Sequence, residues 1–297
     1  MSSQRRWRLL TLVAGTSLGL VGCGSSGDAT SVASPGGSDA LGIAHVHGLG
    51  IDPSDQSLYV ATHYGLFRLP ASGPAARVGD SFQDTMGFTV VDSNRLLGSG
   101  HPDAPAMQKG SPRLLGLIES TNDGATWSNM SLSGEVDFHG LVWAHDQVFG
   151  WDSTTSRLMV SDDGERWEMR SQLDLLSFVV DPRDEQHLLA ATPTGLGVST
   201  DGGRSWNEVS QAPPLVEMSW ASQGSLWAAD GQGGVYRSSD AGRSWQAAGR
   251  LSAPPQAFLA VDDDQLWAAV GAEGEPTGIY RSVDGGAEWM LRYRDEG

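Results

Sequence analysis

One eight-residue phrase, Ser-x-Asp-x-Gly-x-x-Trp, returns five times along this chain, ending at Trp127, Trp167, Trp206, Trp245 and Trp289. The intervals are 40, 39, 39 and 44 residues. A fixed period of this size means that each repeat is one supersecondary unit stacked on its neighbours. Three copies are complete, ending at Trp206, Trp245 and Trp289. The copy from Ser120 carries Asn122 in the Asp place, and the copy before Trp167 carries Val160 in the Ser place while keeping Asp162 and Gly164. Ser and Asp oxygens accept bonds from nearby backbone N–H groups and hold a tight turn. The Gly permits a positive φ, and the Trp opens the next strand with a large apolar ring. A β-rich stretch precedes each copy, as in Gly234-Val-Tyr236-Arg-Ser238. The phrase therefore reads as the corner of a hairpin.

Four β-segments accompany each period, for example Leu176–Val180, Leu188–Thr192, Gly195–Ser199 and a strand from Trp206. The same order precedes the first corner, in Leu58–His63 and Gly65–Arg68, followed by a degenerate turn that keeps only Gly73. Helical periodicity is absent. The expectation is an all-β, six-bladed β-propeller of four-stranded antiparallel blades, with blades at 43–80, 81–132, 133–171, 172–211, 212–250 and 251–295.

The repeated phrase resembles the Asp-box, or BNR repeat, of sialidases and related propellers. The stretches His45-Val-His-Gly-Leu-Gly-Ile-Asp-Pro53, Gln83–Phe88 and Gly98–Asp103 are similar to a group of bacterial Asp-box lipoproteins commonly labelled glycosyl hydrolases, or exo-sialidase-like. In such folds the turns between second and third strands lie on the face opposite the Asp-box corners. That implies one shared face for His45, His47, His63, His101 and His139, all in blades 1 to 3, with His145 and His187 on the other side. His45 and His47, two apart on a strand, point the same way. Converging imidazoles suit zinc or copper; Met86 and Met218 would add soft ligands for copper. A polar pocket lined by the same histidines, without metal, is the alternative reading.

The same face is expected to hold Asp84, Asp103, Asp137, Asp152, Glu217 and Glu273. Glycoside hydrolysis uses two carboxylates roughly 5–9 Å apart, and Asp84 and Asp137 are the candidate pair because they precede inner strands beside the histidines. Tyr64 and Trp151 are candidates for stacking on a sugar, and Asp103 and Asp152 for binding it. The Arg-Ile-Pro signature of sialidases is missing, and only Arg113 and Arg157 sit on the right face for a carboxylate grip. A sialidase proper is therefore not expected. The long stretch His101–Arg113 is the largest irregular excursion and reads either as a lid over the site or as a variable surface loop. Photosystem II stability factors share the repeat, but the arginine-rich patch that would favour an assembly factor is not evident.

The first 22 residues read as a signal peptide: Arg5, Arg6 and Arg8, then an apolar run from Leu9 to Val21. They end in Leu20-Val21-Gly22-Cys23, similar to the lipobox of bacterial lipoproteins. This implies a lipid on Cys23, the chain's one cysteine, and an extracytoplasmic protein anchored to the bacterial cell membrane. Residues 23–40 then form a flexible tether and 41–297 the propeller. Removing residues 1–22 removes three arginines and no acids. The remainder has 19 − 3 = 16 basic against 36 acidic residues, a charge of −20. So acidic a surface excludes nucleic acid as a partner and leaves a glycan or protein ligand, with a monomer expected.

Overall fold

The computed structural model describes residues 42–221, 224–271 and 276–294. Its strands form six four-stranded antiparallel sheets, each built from four strands consecutive in sequence. Together they make a six-bladed β-propeller. The inner strands are Val46–Ile51, Asp84–Val90, Phe138–Ala144, Ser177–Asp181, Leu215–Trp220 and Pro255–Ala260. Three of the second strands, Leu58–Thr62, Leu226–Asp230 and Leu266–Val270, are buried along their whole length. That follows from their near-continuous apolar sequences, since both faces of each blade are covered by neighbours. One departure from the sequence reading is a five-residue helix, Ala104–Gln108, inside the long loop of blade 2.

A repeat unit of this kind cannot bury its hydrophobic faces alone and relies on its neighbours. Here the apolar side chains gather in six clusters, each between consecutive blades. Phe149, Leu158, Phe178 and Leu188 join blades 3 and 4; Val179, Leu189, Met218 and Leu226 join blades 4 and 5. The last blade meets the first in the same way, through Trp267, Ala269 and Ile279 against Ile43, Val46 and Leu58. Among the described residues no strand is exchanged to close the ring: residues 42–45 form none, and blade 6 supplies all four of its own. Polar contacts complete the seam. Val46 N–H donates to Gln256 Oε1 at 3.0 Å, and the Arg292 guanidinium donates to the carbonyls of Pro70 and Ala71 at 3.0 and 2.8 Å.

The repeated corners weld each blade to the one before it. In the corner at Ser199, the Ser hydroxyl accepts from Gly203 N–H and donates to Asp201 Oδ1, both at 2.8 Å. Asp201 Oδ1 in turn accepts from the N–H groups of Arg204 and Ser205. The corner glycine has a positive φ of 85°, and a Cβ there would lie 2.6 Å from Leu158 of the preceding blade. Both demands exclude a side chain. The Trp206 indole N–H reaches back to Ser171 Oγ at 3.0 Å, again in the preceding blade. In blade 3 the corner is one residue shorter than its sequence suggests. Ser161 and Asp163, rather than Val160 and Asp162, make the turn bonds, with Gly164 N–H donating to Ser161 Oγ at 2.8 Å. The aligned spacing had to skip one residue to show this.

Each corner hydroxyl satisfies a buried backbone N–H, so Ser238→Ala should destabilise the fold by about 1–2 kcal/mol. A thermal melt measures this, and an unchanged midpoint would contradict the assigned role.

Candidate functional site

Five of the six inner strands share one irregularity that positions the site. Where the inner strand pairs with the second strand, the register slips by one residue between Val46 and Gly48, Thr85 and Gly87, Leu215 and Glu217, and Pro255 and Ala257. Blade 3 slips at the same point, Gly140 facing Trp151 while Phe138 faces Asp152. A bulge leaves one residue unpaired and re-aims its side chain. The unpaired residues are His47, Met86, His139, Val216 and Gln256, with Leu176 in the matching place of blade 4. Two residues earlier stand His45, Asp84, Asp137, Asp174, Pro214 and Pro254. Opposite these, after the second strand, come His63, His101, Ser153, Pro193, Gly231 and Gly271. In blades 1 to 3 every one of these places except that of Ser153 holds an imidazole, a carboxylate or a thioether. In blades 4 to 6 they hold mainly Pro, Gly and aliphatic residues.

The result is a connected cluster on one face. His47 Nε2 lies 3.2 Å from His63 Nδ1 and 3.2 Å from Asp84 Oδ1. His63 Nδ1 is 2.9 Å from Asp84 Oδ2. Among the described residues, these three offer ligand atoms that all fall within 4.8 Å of one another. His45 stacks beside them, its ring 4.9 Å from that of His47 and 5.5 Å from that of His63. One blade on, His139 Nε2 is 2.9 Å and His101 Nε2 3.5 Å from Asp137 Oδ2. His101 links the halves, with its Nδ1 3.8 Å from Asp84 Oδ2.

Burial and charge shape the chemistry. The side chains of His47 and Asp137 are only 9% and 6% exposed. Asp84 Oδ1 and Asp137 Oδ1 are buried without a hydrogen-bond donor of good geometry. Burial pushes the Asp84 carboxyl up, but the facing His47 and His63 outweigh it and hold it below its ordinary value. Burial, followed by the neighbouring His47 and His63, holds His45 below the usual imidazole value, so its ring is neutral and open to a cation. Cis ligands of a metal with bonds of about 2.0–2.1 Å stand roughly 3 Å apart. The separations in the first half of the cluster match that spacing.

Several residues named from sequence have other work. Asp152 is 2% exposed and accepts from Asp137 N–H and from Thr154 and Thr155 of its own turn, so it supports the cluster from beneath and presents nothing to a ligand. Asp103 caps the short helix, accepting from Ala106 N–H at 2.8 Å and from Phe82 N–H at 3.1 Å. The long loop is thereby tied to the front of blade 2. Trp151 is not a free platform: its indole N–H donates to Leu173 O, it packs on the blade 3–4 cluster, and its ring meets that of His139 at 6.4 Å. Tyr64 stays exposed, 6.4 Å from the His63 ring. Met218 packs in the core between blades 4 and 5. His145 bonds to Asp181 O and His187 faces Trp220, both away from the cluster. Glu273 and Cys23 lie outside the described residues. Ser153, whose hydroxyl is 3.4 Å from Asp137 Oδ2, was missed; aligning the strand ends across the bulge would have found it.

No family model matches this chain, and no curated protein matches it. Solved propellers do. It superposes on a GH74 enzyme of Niastella koreensis with a TM-score of 0.54 and 19% identity, over 81% of this chain and 36% of that one. An Xanthomonas campestris gluconolactonase gives 0.61 and 15%, over 77% and 84%. YCF48 bound to D1 peptide gives 0.52 and 12%, over 84% and 81%. The chain spans less than two-fifths of the length of the GH74 enzymes it matches. At these identities the likeness establishes the propeller fold alone.

Glu217 was expected among the front carboxylates; it follows the bulge on the inner strand of blade 5, in the place of Gly48, Gly87 and Gly140. Burial pushes its carboxyl up to about 8. An unfolded chain ionises near the ordinary value and the folded one does not, so stability falls as pH rises from about 4.5 to about 8. Glu217→Gln should therefore melt above the natural protein at pH 8 and level with it near pH 4. Equal melting temperatures at pH 8 would show the carboxyl to be well solvated.

Proposed function

We propose that this propeller binds a divalent transition metal, zinc or copper, on the histidine face of blades 1 to 3, with His47, His63 and Asp84 as ligands and His45 beside them. The observation that carries the reading is the spacing of those three ligand atoms, each within 4.8 Å of the others, around the Asp84 carboxylate. Two neutral-capable imidazoles and one carboxylate form a borderline donor set of the kind these metals prefer. The strongly acidic chain draws cations toward the face. Zinc held by three protein ligands would take a water as its fourth.

A glycoside hydrolase using Asp84 and Asp137 is the second reading, favoured by the GH74 likeness. Against it, His101 stands between the two carboxylates, and Asp137 is already engaged by His139. A sugar oxygen or an attacking water needs that space. The same protein is proposed to be lipid-anchored through Cys23 outside the cytoplasm; Cys23→Ser should then move it from the membrane to the soluble fraction of cells, and retention in the membrane would contradict the anchor.

Titration of metal-free protein with zinc or copper(II), followed calorimetrically, should show stoichiometric binding that His47→Ala abolishes. Absence of binding would remove the reading. Turnover of aryl glycosides that disappears in Asp84→Ala and Asp137→Ala would replace it with the hydrolase.

A further inference from the structure

The second half of the cluster is built for a different task from the first. Asp137 Oδ2 accepts from His139 Nε2–H at 2.9 Å, which leaves His139 Nδ1 as a lone-pair acceptor. The carboxylate is 6% exposed and the imidazole 34%. A buried acid thus holds a ring that solvent and ligands can reach. Asp137 is itself fixed by its neighbours. Its N–H donates to Asp152 Oδ1 at 3.1 Å, the next N–H donates to Ser99 Oγ at 3.0 Å, and Ser153 Oγ donates to Oδ2 at 3.4 Å. A carboxylate that orients an imidazole and fixes its tautomer is the arrangement of a general base. The rest of the face differs in kind. In the place that matches His139, blade 4 exposes Leu176, and Pro193, Pro214 and Pro254 are exposed at the front of blades 4 to 6.

Resting on the reading that the first cluster binds zinc, we propose that the protein hydrolyses uncharged carboxylic esters, with His139 as catalytic general base and Asp137 as the residue that positions it. The His101 ring links the two halves, its Nδ1 3.8 Å from Asp84 Oδ2 and its Nε2 3.5 Å from Asp137 Oδ2. An ester lying over this partly exposed ring meets the metal position on one side and His139 on the other. The bound ion would polarise the ester carbonyl. His139 Nδ1 takes a proton from water as the water oxygen bonds to the acyl carbon. The bond from that carbon to the alcohol oxygen then breaks, and the same proton passes to the departing oxygen. The products are a carboxylic acid and an alcohol, and nothing is oxidised or reduced. Charge and surface set the substrate class. A formal charge of −17 opposes phosphate and sulfate esters, and the exposed Leu176 on the blade after His139 suits an apolar acyl chain.

The experiment loads the full-length protein with zinc and assays p-nitrophenyl acetate, p-nitrophenyl butyrate and p-nitrophenyl phosphate. The two carboxylic esters are expected to turn over and the phosphate is not. His139→Gln should lower kcat by about a hundredfold or more, the scale of a lost general base, while calorimetry still shows one zinc per chain. Asp137→Asn should lower kcat per bound zinc with KM unchanged; counting against bound zinc discounts chains that fail to fold. Leu176→Ser should raise KM for the butyrate and leave that for the acetate. Stoichiometric zinc without ester turnover, or turnover that His139→Gln leaves unchanged, overturns the hydrolysis and leaves the metal reading standing. Faster cleavage of the phosphate overturns the substrate class. Absence of zinc binding removes both readings together.

Discussion

Burial between consecutive blades is the constraint on which everything else rests. Each blade is a four-stranded sheet whose two faces must be covered by the blades on either side, and the ring closes only when blade 6 covers blade 1. Here packing closes it, with Ile43 and Val46 against Trp267, Ala269 and Ile279. Four of the corner glycines, Gly124, Gly164, Gly203 and Gly242, press closely on side chains of the preceding blade, as Gly203 does on Leu158. Six blades held at fixed rotation then place equivalent backbone positions in a ring around the axis.

That ring turns a small local feature into a site. The unpaired residue of each bulged inner strand is re-aimed toward the front of the molecule, and the residues flanking it follow. Where the sequence fills these places with His and Asp in three adjacent blades, their side chains meet; where it fills them with Pro, Gly and aliphatic residues, nothing comparable forms among the described residues. The support beneath is equally specific. Asp152 holds the backbone N–H of Asp137, and Ser99 holds that of Phe138, so the carboxylate of blade 3 is fixed before any ligand arrives.

The fold was legible because its signal is repeated: the corner phrase, its period and the four β-segments beside it give blade number and order. The concentration of His45, His47, His63, His101 and His139 was legible through the same alignment. What was not legible shares a cause. An Asp that accepts backbone N–H groups in a turn and an Asp that faces a ligand are the same residue type at similar spacing, so Asp103 and Asp152 could not be told from Asp84 and Asp137. The one-residue slip of a bulge leaves no mark in composition, which hid the equivalence of Met86 with His47 and the place of Ser153. The shortened corner at Ser161 was masked by a neighbouring Asp, Asp162, that fitted the phrase by position alone.

The central claim is that the half-ring of blades 1 to 3 is a metal centre. A crystal structure of the protein grown with zinc, with anomalous data collected on both sides of the zinc edge, tests it most directly. The account predicts an edge-dependent peak at bonding distance, about 2.0–2.2 Å, from His47 Nε2, His63 Nδ1 and an Asp84 oxygen. An anomalous map without a peak at these residues, or with zinc bound only at other surface sites, would contradict it.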